Sequence, residues 1–121
     1  MIKRHTISFR NAFNGVKWAF TTQPNYRIHI SLSLLSIVTG CVLNISTYEF
    51  LLILMLITLG LTIETINTAL EKAGDAIDES WREDIRIVKD VAAGSMLIFA
   101  IGSSIIAGII FIPRIIHMIG I

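Results

Sequence analysis

The densest run of chemistry-bearing side chains is Glu64-Thr65-Ile66-Asn67-Thr68-Ala69-Leu70-Glu71-Lys72-Ala73-Gly74-Asp75. At about 100° per residue, Glu64, Asn67, Glu71 and Asp75 fall within one helical stripe roughly 80° wide, so four oxygen-bearing groups share a face. Carboxylates and amide oxygens grouped this way suit a hard cation such as Mg²⁺, which takes one or two carboxylates and keeps its other positions for water and phosphate oxygens. A carboxylate held away from water also suits a general base. Further along, Lys89-Asp90 opens a third apolar run. Beside Glu71 that lysine would neutralise phosphate charge; the plainer alternative is a side chain that only reaches back to water. No G-x-x-x-x-G-K-[ST] loop occurs, so any nucleotide must be held by other groups.

The elements that must position these groups are membrane helices. The 121 residues are 54% hydrophobic and only 16% charged, against roughly 25% charged in ordinary soluble domains, which excludes a typical soluble globule. A net charge of +1 gives no reason to expect a nucleic-acid partner, and two prolines in this length favour one domain over residues 1–121. Residues 28–45 and 91–113 contain no Asp, Glu, Lys or Arg, and residues 50–70 contain only Glu64. Each run approaches the roughly 20 residues that a helix needs to cross a hydrocarbon core of about 30 Å. Strand alternation is absent, and helices satisfy their own backbone groups in lipid, so the reading is an all-α membrane protein with three transmembrane helices.

Basic residues set the orientation. Lys3, Arg4, Arg10, Lys17 and Arg27 precede the first span, and Lys72, Arg82, Arg86 and Lys89 lie between the second and third. The connector 44–49 has neither Lys nor Arg, and only Arg114 follows the third span. The positive-inside rule then places the N-terminus and the long loop in the cytoplasm and the C-terminus outside. The second span enters from outside at Phe50, which puts Glu64 roughly 21 Å along it, about 9 Å short of the cytoplasmic edge that Glu71 reaches. An ionisable group at that depth costs roughly 2.5 kcal/mol or more, so it faces protein and marks a function. The competing reading is a structural carboxylate paired with a neighbour.

Ahead of the spans, Phe9, Phe13, Val16 and Phe20 recur on one helical face with Arg10, Asn14, Lys17 and Thr21 opposite. This predicts an amphipathic helix over 8–22, lying on the inner leaflet and stopped by Pro24, with Trp18 breaking the pattern on the polar side. Ala93, Ala100 and Ala107 at seven-residue spacing, with Ser104 and Gly108, predict close helix packing within the chain and between copies of it. His29 reads as structural, His5 and His117 as solvated, and the single Cys41 as a small lipid-facing or packing residue. Asp78, Glu79, Glu83 and Asp84 read as a solvated acidic loop; should Asp84 open the next helix, its first-turn amides would instead assist phosphate.

The pattern Glu-x-x-Asn-[Ser/Thr]-Ala-[Ile/Leu]-Glu-x-x-x-Asp at Glu64, Asn67, Thr68, Ala69, Leu70, Glu71 and Asp75, followed by Lys89-Asp90, resembles the prokaryotic diacylglycerol kinase family, which includes undecaprenol kinase. The amphipathic start, the three spans and the short outer connector agree with it, so the resemblance covers almost the whole chain. It implies a lipid kinase of the prokaryotic cytoplasmic membrane. Such an enzyme moves the terminal phosphate of ATP, with Mg²⁺, onto the hydroxyl of diacylglycerol or undecaprenol, and works as a homotrimer with sites between protomers. It implies Glu64 as the catalytic base, Glu71 as a metal ligand, and Asn67, Asp75, Lys89 and Asp90 along the nucleotide and catalytic region. Phosphoryl transfer asks for little beyond such positioning and charge neutralisation.

Three departures stand out. Gln23 occupies the position, four before Arg27, where the family carries an acidic metal ligand; its amide offers an oxygen without the charge. Ser80 and Arg82 stand where better-known members have a Glu-x-His pair, and Arg82 is a substitute nucleotide contact through phosphate. Lys72 and Gly74 make the helix end more polar and flexible than the usual apolar filling. The alternatives to a working kinase are a degenerate family member and a small oligomeric channel. Against the channel, residues 50–63 offer only Thr58 and Thr62 as polar groups beyond Glu64.

Overall fold

The computed structural model describes residues 2–121 as four helices, α1 (Ile2–Thr22), α2 (Pro24–Val42), α3 (Thr47–Ile77) and α4 (Glu83–Met118), with no strand among the described residues. Helix α3 is the spine: it packs along α4 and, less extensively, along α2, while α1 packs against α2 and α3. Helices α2 and α4 pack chiefly against α3 rather than against each other. Helices α3 and α4 are each long and apolar enough to cross a membrane. Helix α2 has 19 residues, but Asn25, Tyr26 and Arg27 make its first turn polar. Large apolar side chains such as Met55, Leu97, Ile98, Ile101 and Ile109 stand exposed on the single chain, as lipid or neighbouring helices would require.

Helix boundaries differ from the apolar runs for local reasons. Helix α1 starts at Ile2 rather than at residue 8, and it stops at Thr22 because Pro24, far from only terminating it, serves as the first residue of α2 with Gln23 at the N-cap position. The apolar run to Ile45 outlasts its helix, which ends at Val42; Asn44 takes φ 50° and turns the chain toward Ser46. At the other end Pro113 does not close α4, which continues to Met118, while Arg114 Nη1 donates to the Ile110 carbonyl at 3.0 Å. Trp18, which fits no amphipathic pattern, has a partner: the Lys72 ammonium lies 5.5 Å from its ring centroid, next to buried Ala19. Phe9 and Phe13 point away from the other helices and stay exposed.

The end of the bundle at the α2–α3 turn is fastened twice. Ser46 caps α3 by accepting from the Glu49 backbone N–H at 3.3 Å, and the Ser46 N–H donates to Glu49 Oε2 at 2.7 Å, a closed capping box. The same carboxylate takes two bonds from Arg114, Nη1 to Oε1 at 2.8 Å and Nη2 to Oε2 at 2.6 Å, which ties α4 to the start of α3. Beneath this clip Ile45, Ile53 and Ile110 form the buried apolar cluster.

Midway along α3, Gly60 lets the Phe99 ring of α4 lie against the backbone: a Cβ there would sit 2.6 Å from Phe99 Cζ. Filling that space with Gly60→Val should destabilise the chain by about 1–3 kcal/mol, the usual cost of overpacking. Thermal unfolding in detergent would show it as a lowered midpoint, and Phe99→Ala in the same chain should recover most of the loss. An equal loss with and without Phe99 would mean that the ring does not limit this position.

Candidate active site

The C-terminal half of α3 carries the polar stripe, which is buried at its start and more open beyond Asn67. Glu64 is 4% exposed and Asn67 8%, Asp75 is half-buried, and Glu71 is exposed. The side chains share one face, and each turn rises about 5.4 Å toward the C-terminal end of α3. Deep in the stripe, His29 of α2 brings Nε2 to 3.9 Å from Glu64 Oε2, beyond hydrogen-bond length, and its ring centroid is 6.2 Å from that of Phe99. Asn67 Oδ1 is buried without a hydrogen-bond partner among the described residues. A buried acceptor left unpaired is costly, so this atom faces a place where a donor belongs. On the flank of Glu64, Thr65 Oγ1 donates to the Leu61 carbonyl at 2.7 Å and meets buried Tyr26 at 3.4 Å, which seats α2 against α3.

Nearer the surface, Lys89 Nζ donates to Asp75 Oδ1 at 2.5 Å across the α3–α4 contact. Gly74 makes the approach feasible. A Cβ on Gly74 would lie 3.2 Å from Lys89 Cε and 3.2 Å from Ile85 Cγ2, so the lysine stem crosses α3 where a side chain is missing. The glycine that looked only like added flexibility is thus the saddle for Lys89.

The other expected site residues are placed elsewhere. Arg82 donates to Asp84 Oδ2 at 2.7 Å, and Asp90 is held by Arg86 at 2.8 Å, all on the exposed side of the α4 start. Helix α4 opens at Glu83, with Arg82 at the N-cap position and no capping side-chain bond, rather than at Asp84. In the loop before it, Ser80 donates its hydroxyl and its backbone N–H to Asp78 Oδ1, at 2.7 and 2.9 Å, and these bonds hold the Asp78 carboxyl below the usual carboxylate range. Gln23 donates its amide to Thr22 Oγ1 at 3.1 Å and makes no hydrogen bond to Glu71. Among the described residues no three His, Cys, Asp or Glu side chains gather into a metal cage. Exposed Glu71, in no ion pair among those residues, nonetheless fits the one- or two-carboxylate habit of Mg²⁺.

His29 is the residue that sequence reasoning undervalued. The available signal was an ionisable side chain at the inner edge of a run otherwise free of charge, which membrane burial makes expensive unless it meets a partner. The fold supplies that partner in Glu64.

A helical membrane protein with a buried carboxylate beneath an exposed one, and a lysine at their edge, has the parts of a phosphoryl-transfer site working on a lipid. Residues 10–111 match the prokaryotic diacylglycerol kinase family. The chain is 34% identical over 113 residues to a diacylglycerol kinase of Synechocystis, covering 93% of this chain and 65% of that protein. It is 30% identical over 113 residues to an undecaprenol kinase of Bacillus subtilis, covering 93% of this chain and 92% of that one. The chain belongs to the prokaryotic diacylglycerol kinase family and is, by class, a lipid kinase.

The saddle at Gly74 gives a direct test of Lys89. Gly74→Val should displace the ammonium by about an ångström and lower lipid kinase activity by roughly 10²-fold, the scale expected for a misplaced charge at a reacting centre. Activity assays on membranes with matched expression would measure it. Unchanged turnover would show that Lys89 tolerates displacement.

Proposed function

We propose that this chain moves the terminal phosphate of ATP, with Mg²⁺, onto the hydroxyl of a membrane lipid, diacylglycerol or undecaprenol, at the cytoplasmic face of a prokaryotic inner membrane. The observation that carries the reading is the order of groups on one face of α3, with Glu64 buried among helices and Glu71 exposed at the end toward water. Glu64 takes the proton of the lipid hydroxyl as its oxygen attacks phosphorus; the bond to the leaving nucleotide breaks, and the leaving oxygen keeps the electron pair. Lys89 and Arg82 exchange their carboxylate partners for phosphate oxygens. Glu71, with Gln23 as a neutral oxygen donor, would hold Mg²⁺, which supplies neutralisation of the phosphate charge. Asn67, Asp75 and Asp90 lie along the nucleotide region of the same reading.

The assembly follows from the same physics. Helix α2 is the third crossing, entered through its polar first turn. The N-terminus and the 72–89 loop lie inside and the C-terminus lies outside, as the basic residues demand. A homotrimer covers the small-residue side of α4 and completes sites between protomers.

Glu64→Gln should lower turnover by about 10² or more while leaving nucleotide binding intact, because a positioned base acts in the chemical step. Glu71→Gln should instead weaken binding of the metal–nucleotide complex. Radiolabelled ATP with a panel of lipid alcohols measures turnover, and calorimetry on the purified protein measures binding. Near-normal turnover in Glu64→Gln would return that carboxylate to a structural role. For the metal, Gln23→Glu restores a full charge within reach of a hard dication, so the Mg²⁺ concentration for half-maximal activity should fall. Coincident Mg²⁺ titrations of wild type and variant would place Gln23 outside the metal shell.

A further inference from the structure

Two lysines flank the Glu71–Asp75 face of α3 from opposite sides. At about 100° per residue, Gly74 lies roughly 80° to one side of the line through Glu71 and Asp75, and Lys72 lies roughly 80° to the other. Lys89 enters from α4 over Gly74 and is bonded to Asp75. Lys72 is exposed and belongs to no ion pair among the described residues; its Nζ lies 5.5 Å from the centroid of the Trp18 ring of α1. Its charge still reaches the stripe. Asp75 is held below the usual carboxylate range by its hydrogen bond to Lys89 first, and the charges of Lys89 and Lys72 add to that effect. The platform under Lys72 is fixed. Thr21 and Thr22 donate their hydroxyls to the Trp18 carbonyl at 3.1 and 2.7 Å, Arg27 of α2 donates to the Thr21 carbonyl at 3.3 Å, and the neighbouring Ala19 is buried.

We propose that Lys72 is a phosphate-binding residue, resting over the Trp18 ring until the polyphosphate of a nucleotide draws it across to the Glu71–Asp75 face. The proposal rests on the kinase reading above and adds to that site a second ammonium, opposite Lys89. An exposed ring holds a cation weakly, through its quadrupole alone, whereas phosphate oxygens offer full charge and direct hydrogen bonds. The exchange therefore runs toward phosphate. It asks for little movement, because the four-carbon stem is flexible and Lys72 is the next residue after Glu71. Charge supplies the need for it. A polyanion lying along this face meets the carboxylates of Glu71 and Asp75, and ammonium groups on both flanks offset that repulsion where Lys89 alone would offset one side.

Trp18 reports the exchange itself, because the other tryptophan, Trp81, is exposed in the loop before α4 and can be replaced. In a Trp81→Phe chain, a non-hydrolysable ATP analogue added with Mg²⁺ to the purified protein should raise the Trp18 emission, since a quenching ammonium moves off the indole. The rise should saturate at the same concentration as binding measured by calorimetry. Lys72→Met in that chain should start at the raised emission, show no further rise, and bind the analogue about five-fold more weakly, the scale of one exposed charge-assisted contact. Lys72→Arg keeps the charge and should recover the binding. A rise of the same size in Lys72→Met would mean that Trp18 senses the nucleotide by another route, and equal affinity of Lys72→Met and its parent would mean that the ammonium stays on the ring. Either result overturns the proposal and leaves the kinase reading standing. A parent chain with no affinity for the analogue overturns the kinase reading and this one with it.

Discussion

Everything in this molecule is arranged around one carboxylate that lipid would not tolerate. Glu64 lies near the middle of a continuous helix of 31 residues, and it is 4% exposed although the single chain leaves much of its apolar surface open. An ionisable group at that depth costs roughly 2.5 kcal/mol or more unless protein surrounds it, so α2 and α4 must both reach it. They do so through small or compact contacts. Gly60 admits Phe99, Tyr26 fills the space beside Thr65, and His29 meets the carboxylate itself. Because α3 is unbroken, fixing Glu64 also fixes the rotation of the whole stripe, and Glu71 and Asp75 take their places without further instruction.

The stability that holds this arrangement comes from the opposite end. The apolar cluster of Ile45, Ile53 and Ile110 and the Glu49–Arg114 clip are at the α2–α3 turn, away from every candidate site residue. The inner half, where polar groups gather, has few buried apolar side chains, chiefly Ala19, Tyr26, Ile85 and Ala92.

Much of this was legible in the sequence because membrane helices obey few rules. Charge-free runs located the helices, and the spacing of Glu64, Asn67, Glu71 and Asp75 located their shared face. The failures share a cause: each depended on a contact between segments distant in the chain. Trp18 violates the periodicity of α1 because its partner, Lys72, belongs to α3. Gly74 looked like a loosened helix end because the stem that needs its missing Cβ comes from Lys89. His29 looked isolated because Glu64 is 35 residues away in the chain.

The charged groups at the inner end obey a different economy from Glu64. Lys89 with Asp75, Arg82 with Asp84, and Arg86 with Asp90 are ion pairs between side chains at least partly open to solvent. Such pairs gain little over solvation in water, so an incoming polyanion that offers the same cations a denser array of oxygens can replace the carboxylates at small cost. The carboxylates released, Asp75 among them, are then unpaired beside phosphate, which favours a cation between them and gives Glu71 its chemical context. Glu64 has no such freedom, since moving it means moving the helix. The molecule thus keeps its buried carboxylate on the rigid spine and leaves the movable charge to groups already in contact with water.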